Sequence, residues 1–101
     1  MEEFVPSKFF LSQNSPNPFR ETTKIKYCLP VKSKVKLVIY NSANKKIRKL
    51  VNEIQEAGTY EVKLDNRDLL EDHYYYELKA TGLPLSLRKV FYEMKRMMIS
   101  R

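Results

Sequence analysis

The stretch Thr23-Lys24-Ile25-Lys26-Tyr27-Cys28-Leu29 decides how this chain folds. On an extended backbone Ile25, Tyr27 and Leu29 share one face, and Lys24, Lys26 and Cys28 share the other. Alternation of this kind marks a strand with one face buried and one face in water. Pro30 ends the strand because it has no N–H to give to a ladder. The polar turn Val31-Lys32-Ser33 follows, and Lys34 to Tyr40 then repeats the pattern, with Val35, Leu37 and Ile39 inward.

The same reading extends in both directions. Upstream, Phe9-Phe10-Leu11-Ser12 is a short apolar run suited to an edge strand or a strap. It leads into Gln13-Asn14-Ser15-Pro16-Asn17-Pro18-Phe19, where two prolines forbid a regular ladder and Phe19 is expected to close the loop onto the core. Downstream, Asn41 to Asn44 is a turn, with Asn44 as its pivot because asparagine tolerates a positive φ. Lys45 to Asn52 lacks strict alternation. A bulged or twisted edge strand and a short helix both remain open there, and its basic residues suit an exposed edge. Ala57-Gly58 turns into the strand Thr59 to Asp65, with Tyr60, Val62 and Leu64 inward. Asn66 to Asp72 is a polar connection plugged by Leu69. Tyr74 to Ala80 is a further strand, with Tyr74, Tyr76 and Leu78 inward. After the turn Gly82-Leu83-Pro84, a last strand is predicted from Leu85 to about Lys95. Short strands about ten residues apart, with turns between them, argue for an antiparallel β-sandwich. In such a sandwich Tyr74 is placed to bond back to nearby backbone as a tyrosine corner does.

A chain of 101 residues fits one domain, and at that size little room is left for a deep cleft beside the core. The expected organisation is a flexible lead over 1–8, the sandwich over 9–95 and a basic tail over 96–101. The net charge of +7 comes from lysines and arginines interleaved with apolar residues, which is the pattern of solvated strand faces rather than a nucleic-acid surface. Cys28 is the only cysteine and has only His73 as a second soft ligand, so neither an internal disulfide nor a metal site is expected. The acidic N-terminus lacks the basic start and apolar run of a signal peptide, and no stretch reaches the ~20 apolar residues of a membrane span.

No catalytic residues are predicted. His73 has no partnering nucleophile or orienting group in any motif. Asp65, Asp68 and Glu71 make a poor calcium loop and are better read as turn residues. Tyr75 is the one member of the tyrosine run that faces outward, where a stacking role would need it. Cys28 lies on the polar face. The best candidate for partner recognition is the basic strip Arg88, Lys89 and Lys95, continued by Arg96 and Arg101. It reads either as a solvated last strand with its tail or as a surface for an acidic partner.

Six pieces of the chain, in order, resemble the type A C-terminal sorting domains of type IX secretion. Phe10 to Phe19 is similar to the family's LxQNxPNPF opening, and Thr22 to Pro30 to its TTxIxYxLP. Val35 to Tyr40 is similar to VxLxIY, and Val51 to Val62, with Gly58 at its turn, to VNxxxxAGxYxV. Tyr74 to Ala80 is similar to YFYxLxA, and Arg88-Lys89-Val90 stands where the family has a basic KKM. The structural signature so carried is Asn14, Pro16, Asn17, Pro18, Phe19, Gly58, Tyr74 and Tyr76. Asn44 and Asp72 stand where the family usually has glycine, which makes both expected left-handed turn positions.

The resemblance implies an immunoglobulin-like antiparallel β-sandwich of about seven strands, related to a domain of flagellar hook-capping proteins. It implies a module without cofactor or catalysis that directs a larger cargo across the bacterial outer membrane. Its partners would be the secretion translocon, a sortase-like surface protease and the parent cargo domain, with no nucleic acid and no membrane insertion. The implied location is secreted or on the outer-membrane surface, as part of a larger precursor from which this chain is an excised domain or gene fragment. Two other readings are a structural adaptor packed on a neighbouring domain and a small carbohydrate-binding sandwich.

Overall fold

The computed structural model describes residues 5–100. Seven strands follow one another among them: β1 (Phe10–Leu11), β2 (Thr22–Leu29), β3 (Ser33–Tyr40), β4 (Lys46–Gln55), β5 (Gly58–Asp65), β6 (His73–Gly82) and β7 (Val90–Met98). A single 3-10 turn, Leu85–Leu87, precedes β7. The strands form two antiparallel sheets, ordered β1-β2-β5 and β4-β3-β6-β7, packed face to face. This is an immunoglobulin-like division of strands, except that β4 pairs with β3 instead of flanking the smaller sheet.

The alternation that decides the fold becomes the core directly. Ile25, Tyr27 and Leu29 of β2 face Val35, Leu37 and Ile39 of β3 and Tyr74, Tyr76 and Leu78 of β6, all within one buried cluster. Leu69 plugs its end at 0% exposure. Val38 is also buried although it points to the outer face. It lies between Lys49 and Glu77 in the centre of the four-stranded sheet, where long side chains cover a short one.

β4 is a strand and not a helix. Two register shifts against β3, at Leu37/Val38 and Ile39/Tyr40, break its period and explain why Ile47, Leu50 and Val51 do not alternate. The chain then leaves one sheet for the other at Gly58, whose φ of 155° few side chains adopt. Gly82 is constrained by space. A Cβ there would lie 3.0 Å from the Val31 side chain and 3.3 Å from the Lys89 carbonyl. Gly82→Ala is therefore expected to lower stability by about 1–3 kcal/mol, measured by urea unfolding.

The last strand differs from the expectation. Pro84 and the turn Leu85–Leu87 delay it to Val90, and it then runs past Lys95 to Met98. Met97 is buried at 0% exposure and Ile99 at 5%. Residues 96–99 thus belong to the sandwich and not to a basic tail. At the other end, residues 1–4 of the expected flexible lead lie outside the described residues. Within the lead Pro6 is buried, and just beyond it Phe9 stacks on Phe91 with ring centroids 5.6 Å apart.

The left-handed positions are partly those expected. Asn44 has φ 62° and pivots a turn in which the Asn41 side chain accepts from the Ala43 and Lys45 N–H groups. Asp72 is not left-handed. That role in the loop before β6 falls to Asp68, at φ 64°. Asp68 sits where the chain reverses between the Arg67 and Leu69 positions, and the Leu69 N–H closes the turn on the Asn66 carbonyl. Arg88, at φ 54°, is a third such residue and caps the 3-10 turn.

Candidate recognition surface

The opening loop is built around Asn14, which is 2% exposed. Its Nδ2 donates to the Pro16 carbonyl and to the Thr23 hydroxyl, both at 3.1 Å. Its backbone N–H donates to the Tyr76 hydroxyl at 2.8 Å, and that hydroxyl donates in turn to the Ser12 carbonyl at 2.7 Å. Tyr76 therefore fixes the strap from the core side. Burial pushes its phenol up to about 12, against some lowering by the Asn14 N–H. Peptide bonds preceding Pro16 and Pro18 are cis.

From this anchor the loop reaches the end of β7. Gln13 Nε2 donates to the Arg96 carbonyl at 2.7 Å, and Asn17 Oδ1 accepts from the Met98 N–H at 2.8 Å. The Phe19 N–H donates to the Met98 carbonyl at 3.0 Å, and the Phe19 carbonyl accepts from Ser100 at 2.7 Å. The structure thus brings Asn14, Pro16, Asn17, Pro18, Phe19 and Tyr76 together around residues 96–100. Gln13 and Thr23 complete the group. Thr23 carried a signal, because it is a hydroxyl residue on the inward face of a strand start. The pairing of Gln13 with a backbone group 83 residues away had none.

The other signature residues lie apart from that cluster. Tyr74 accepts from the Glu71 N–H at 2.9 Å, the tyrosine-corner contact expected of it. Gly58 pairs with Leu29 at the far end of β2.

The basic strip is not one patch. Arg88 and Lys89 are exposed at the start of β7, and the Lys89 carbonyl accepts from Gly82. Lys95 lies about 20 Å further along the strand. It pairs across the ladder with buried Tyr76, so it faces inward, and it lies 3.8 Å from Glu93. The outward residues of β7 are Val90, Tyr92, Met94, Arg96 and Met98.

The two outer sheet faces differ in charge. On the smaller sheet Lys24 and Lys26 both pair with Glu61, at 3.5 and 3.7 Å. On the larger sheet Lys34, Lys36 and Lys79 sit side by side around a depression of about 150 Å³ that Thr81 completes. Glu77, the acidic residue nearest them on that face, accepts from the Tyr92 hydroxyl at 2.8 Å instead of pairing with a lysine. That carboxylate holds the Tyr92 phenol above its ordinary value. Tyr40 and Tyr75 on the same face are half-buried, and Tyr75 meets His73 edge-on at 6.2 Å.

Other candidate residues have local partners. Asp65 is held by the Arg67 guanidinium at 2.9 Å and by its backbone N–H, which lowers the carboxyl below its ordinary value. The Glu71 carboxylate accepts from Ser42. Cys28 Sγ lies 3.6 Å from the Thr59 hydroxyl. Among the described residues no group of three His, Cys, Asp or Glu side chains could hold a metal ion, and no helix is long and apolar enough to cross a membrane. No protein-family model, curated protein or solved structure matches the chain.

Proposed function

We propose that this chain is a sorting domain of the type IX secretion class. It acts by being recognised as a folded body, and it carries no chemistry of its own. The cargo domain it accompanies would cross the outer membrane with it. A sortase-like surface protease would then remove the domain. The observation that supports this reading is the bonding of the opening loop to the end of β7. The most specific piece of the resemblance, Gln13 to Phe19, is used to hold the terminal strand in place, so the opening loop and the far end of β7 form one surface. Arg88 and Lys89 stand exposed at the other end of the same strand, available to an acidic translocon surface.

The test is a reporter fused ahead of this domain in a host with the secretion system. Secretion is expected, with a drop of about tenfold or more when Arg88 and Lys89 are both changed to glutamate. Both side chains are exposed, so the variant keeps its core. Undiminished secretion of that variant would sink the assignment of these residues. A reporter that never leaves the cell would sink the sorting role itself.

A further inference from the structure

We infer that the first half of β7 is a strand-addition site for an extended polypeptide with acidic flanks. β7 is an edge strand, so one side of its backbone has no ladder partner. The bonding pattern identifies which groups lie on that side. The Lys89 carbonyl bonds to Gly82, so the odd-numbered residues of β7 face β6. The even-numbered residues face out, as the loop bonds to Arg96 and Met98 confirm. Gln13, Asn17 and Phe19 cover those two residues. No described residue bonds to the outward backbone groups of Val90, Tyr92 and Met94. Among the described residues the edge is therefore half capped and half open.

The open half has the wrong features for an edge kept from pairing. β4, the opposite edge of this sheet, carries two register shifts and a run of basic residues. The open part of β7 shows no register shift. Val90, Tyr92 and Met94 are 61%, 59% and 39% exposed beside it. A strand laid there would gain backbone hydrogen bonds and an apolar row to pack against.

Charge selects the occupant. The open segment is bracketed by the exposed cations Arg88 and Lys89 before it and Arg96 after it, while Lys95 turns inward to Glu93. A second copy of this chain is disfavoured. Antiparallel pairing centred on Tyr92 would set Arg88 opposite Arg96 in each half, two like-charge contacts on the exposed face. A partner with acidic residues at both ends of a short apolar strand meets the same frame with complementary charge. A nucleic acid would meet the cations but has no use for the alternating N–H and C=O groups. The inference does not rest on the sorting role and needs no secretion host to examine.

The probe is a blocked nine-residue peptide of alternating valine and threonine with two glutamates at each end. A lysine-ended version is its control. Amide hydrogen exchange is read on the purified chain by NMR. The acidic peptide is expected to slow exchange at Val90, Tyr92 and Met94 by about tenfold or more, and the lysine-ended peptide is expected to leave them unchanged. Tyr92→Pro removes the central donor at an edge position where proline is tolerated, and is expected to abolish the effect. Should that variant unfold, Arg88→Glu with Lys89→Glu serves instead, and is expected to abolish the preference for the acidic peptide, since one end of the frame is then acidic and the other still basic. The proposal is overturned by unchanged exchange at millimolar acidic peptide. It is also overturned by equal protection from both peptides, by protection from a single-stranded oligonucleotide at the same amides, or by protection that grows with protein concentration alone.

Discussion

Phe19→Ala is expected to remove about 3–5 kcal/mol of folding stability, the range for emptying a buried aromatic site. The ring is 1% exposed and belongs to the single core cluster. Two further consequences raise the effect above that of an ordinary core position. The Phe19 backbone bonds to Met98 on one side and to Ser100 on the other, and it forms a parallel bridge to Ile99. The ring thus anchors the segment that pins the end of β7. With about 4–8 °C per kcal/mol for a domain near this size, the melting temperature should fall by roughly 12–40 °C. Circular dichroism measures the fall, and exchange of the Ile99 and Ser100 amides should rise with it. Phe10→Ala is the comparison, since Phe10 is 52% exposed, and it should stay within about 0.5 kcal/mol of the parent. Equal losses from the two variants would mean that Phe19 does not anchor the loop.

The reason one phenylalanine was legible as core and the end of β7 was not lies in what faces inward. β2, β3, β5 and β6 place apolar side chains at nearly every inward position, so their period of two survives in the sequence. β7 places Phe91, Glu93, Lys95 and Met97 inward. Two charged residues stand where the pattern asks for apolar ones, and the more apolar face of the strand is the exposed one. The strand start was displaced for a related reason. Leu85 and Leu87 read as strand residues, yet they sit exposed in the 3-10 turn, at 68% and 43%. β4 lost its period to two register shifts, and the lost alternation alone does not separate a bulged strand from a short helix, because the shifts are defined by the partner strand.

The recognition surface was legible in kind but not in arrangement. Asn14, Asn17 and Phe19 stood out by residue type, but their contacts span 62 to 81 residues and follow from the sandwich topology. Arg88 gave no sign of its left-handed backbone, because that conformation favours glycine, asparagine and aspartate. Lys95 was grouped with Arg88 and Lys89 by charge, and the pleat separates it from them by turning it inward beside Glu93.

Above pH 10 the domain is expected to lose stability along a slope set by two tyrosines. Tyr27 and Tyr76 are both 0% exposed, and burial pushes each phenol up to about 12. A folded-state value above the ordinary one means that the folded protein resists deprotonation that the unfolded chain accepts. The contribution is therefore whole below pH 10 and is lost as pH rises toward 12. At about 1.4 kcal/mol per pKa unit, the upper value is roughly 5 kcal/mol for the pair. A domain of this kind holds only about 5–15 kcal/mol in all, so the loss is enough to bring it near unfolding. The 13 lysines lose charge over the same range and take the net charge from +7 through zero to about −6, so self-repulsion first falls and then returns with the opposite sign, a background shared by the parent and the two phenylalanine variants. Urea unfolding between pH 9 and 12, with tyrosinate absorbance followed alongside, measures the slope. Tyr27→Phe gives up one hydrogen bond, to Gln55, and should roughly halve it. Tyr76→Phe should do the same from a lower start, about 1–3 kcal/mol down, because the Asn14 N–H and the Ser12 carbonyl lose their buried partner. If both variants keep the parent slope, the alkaline loss arises elsewhere and the two buried phenols do not control it.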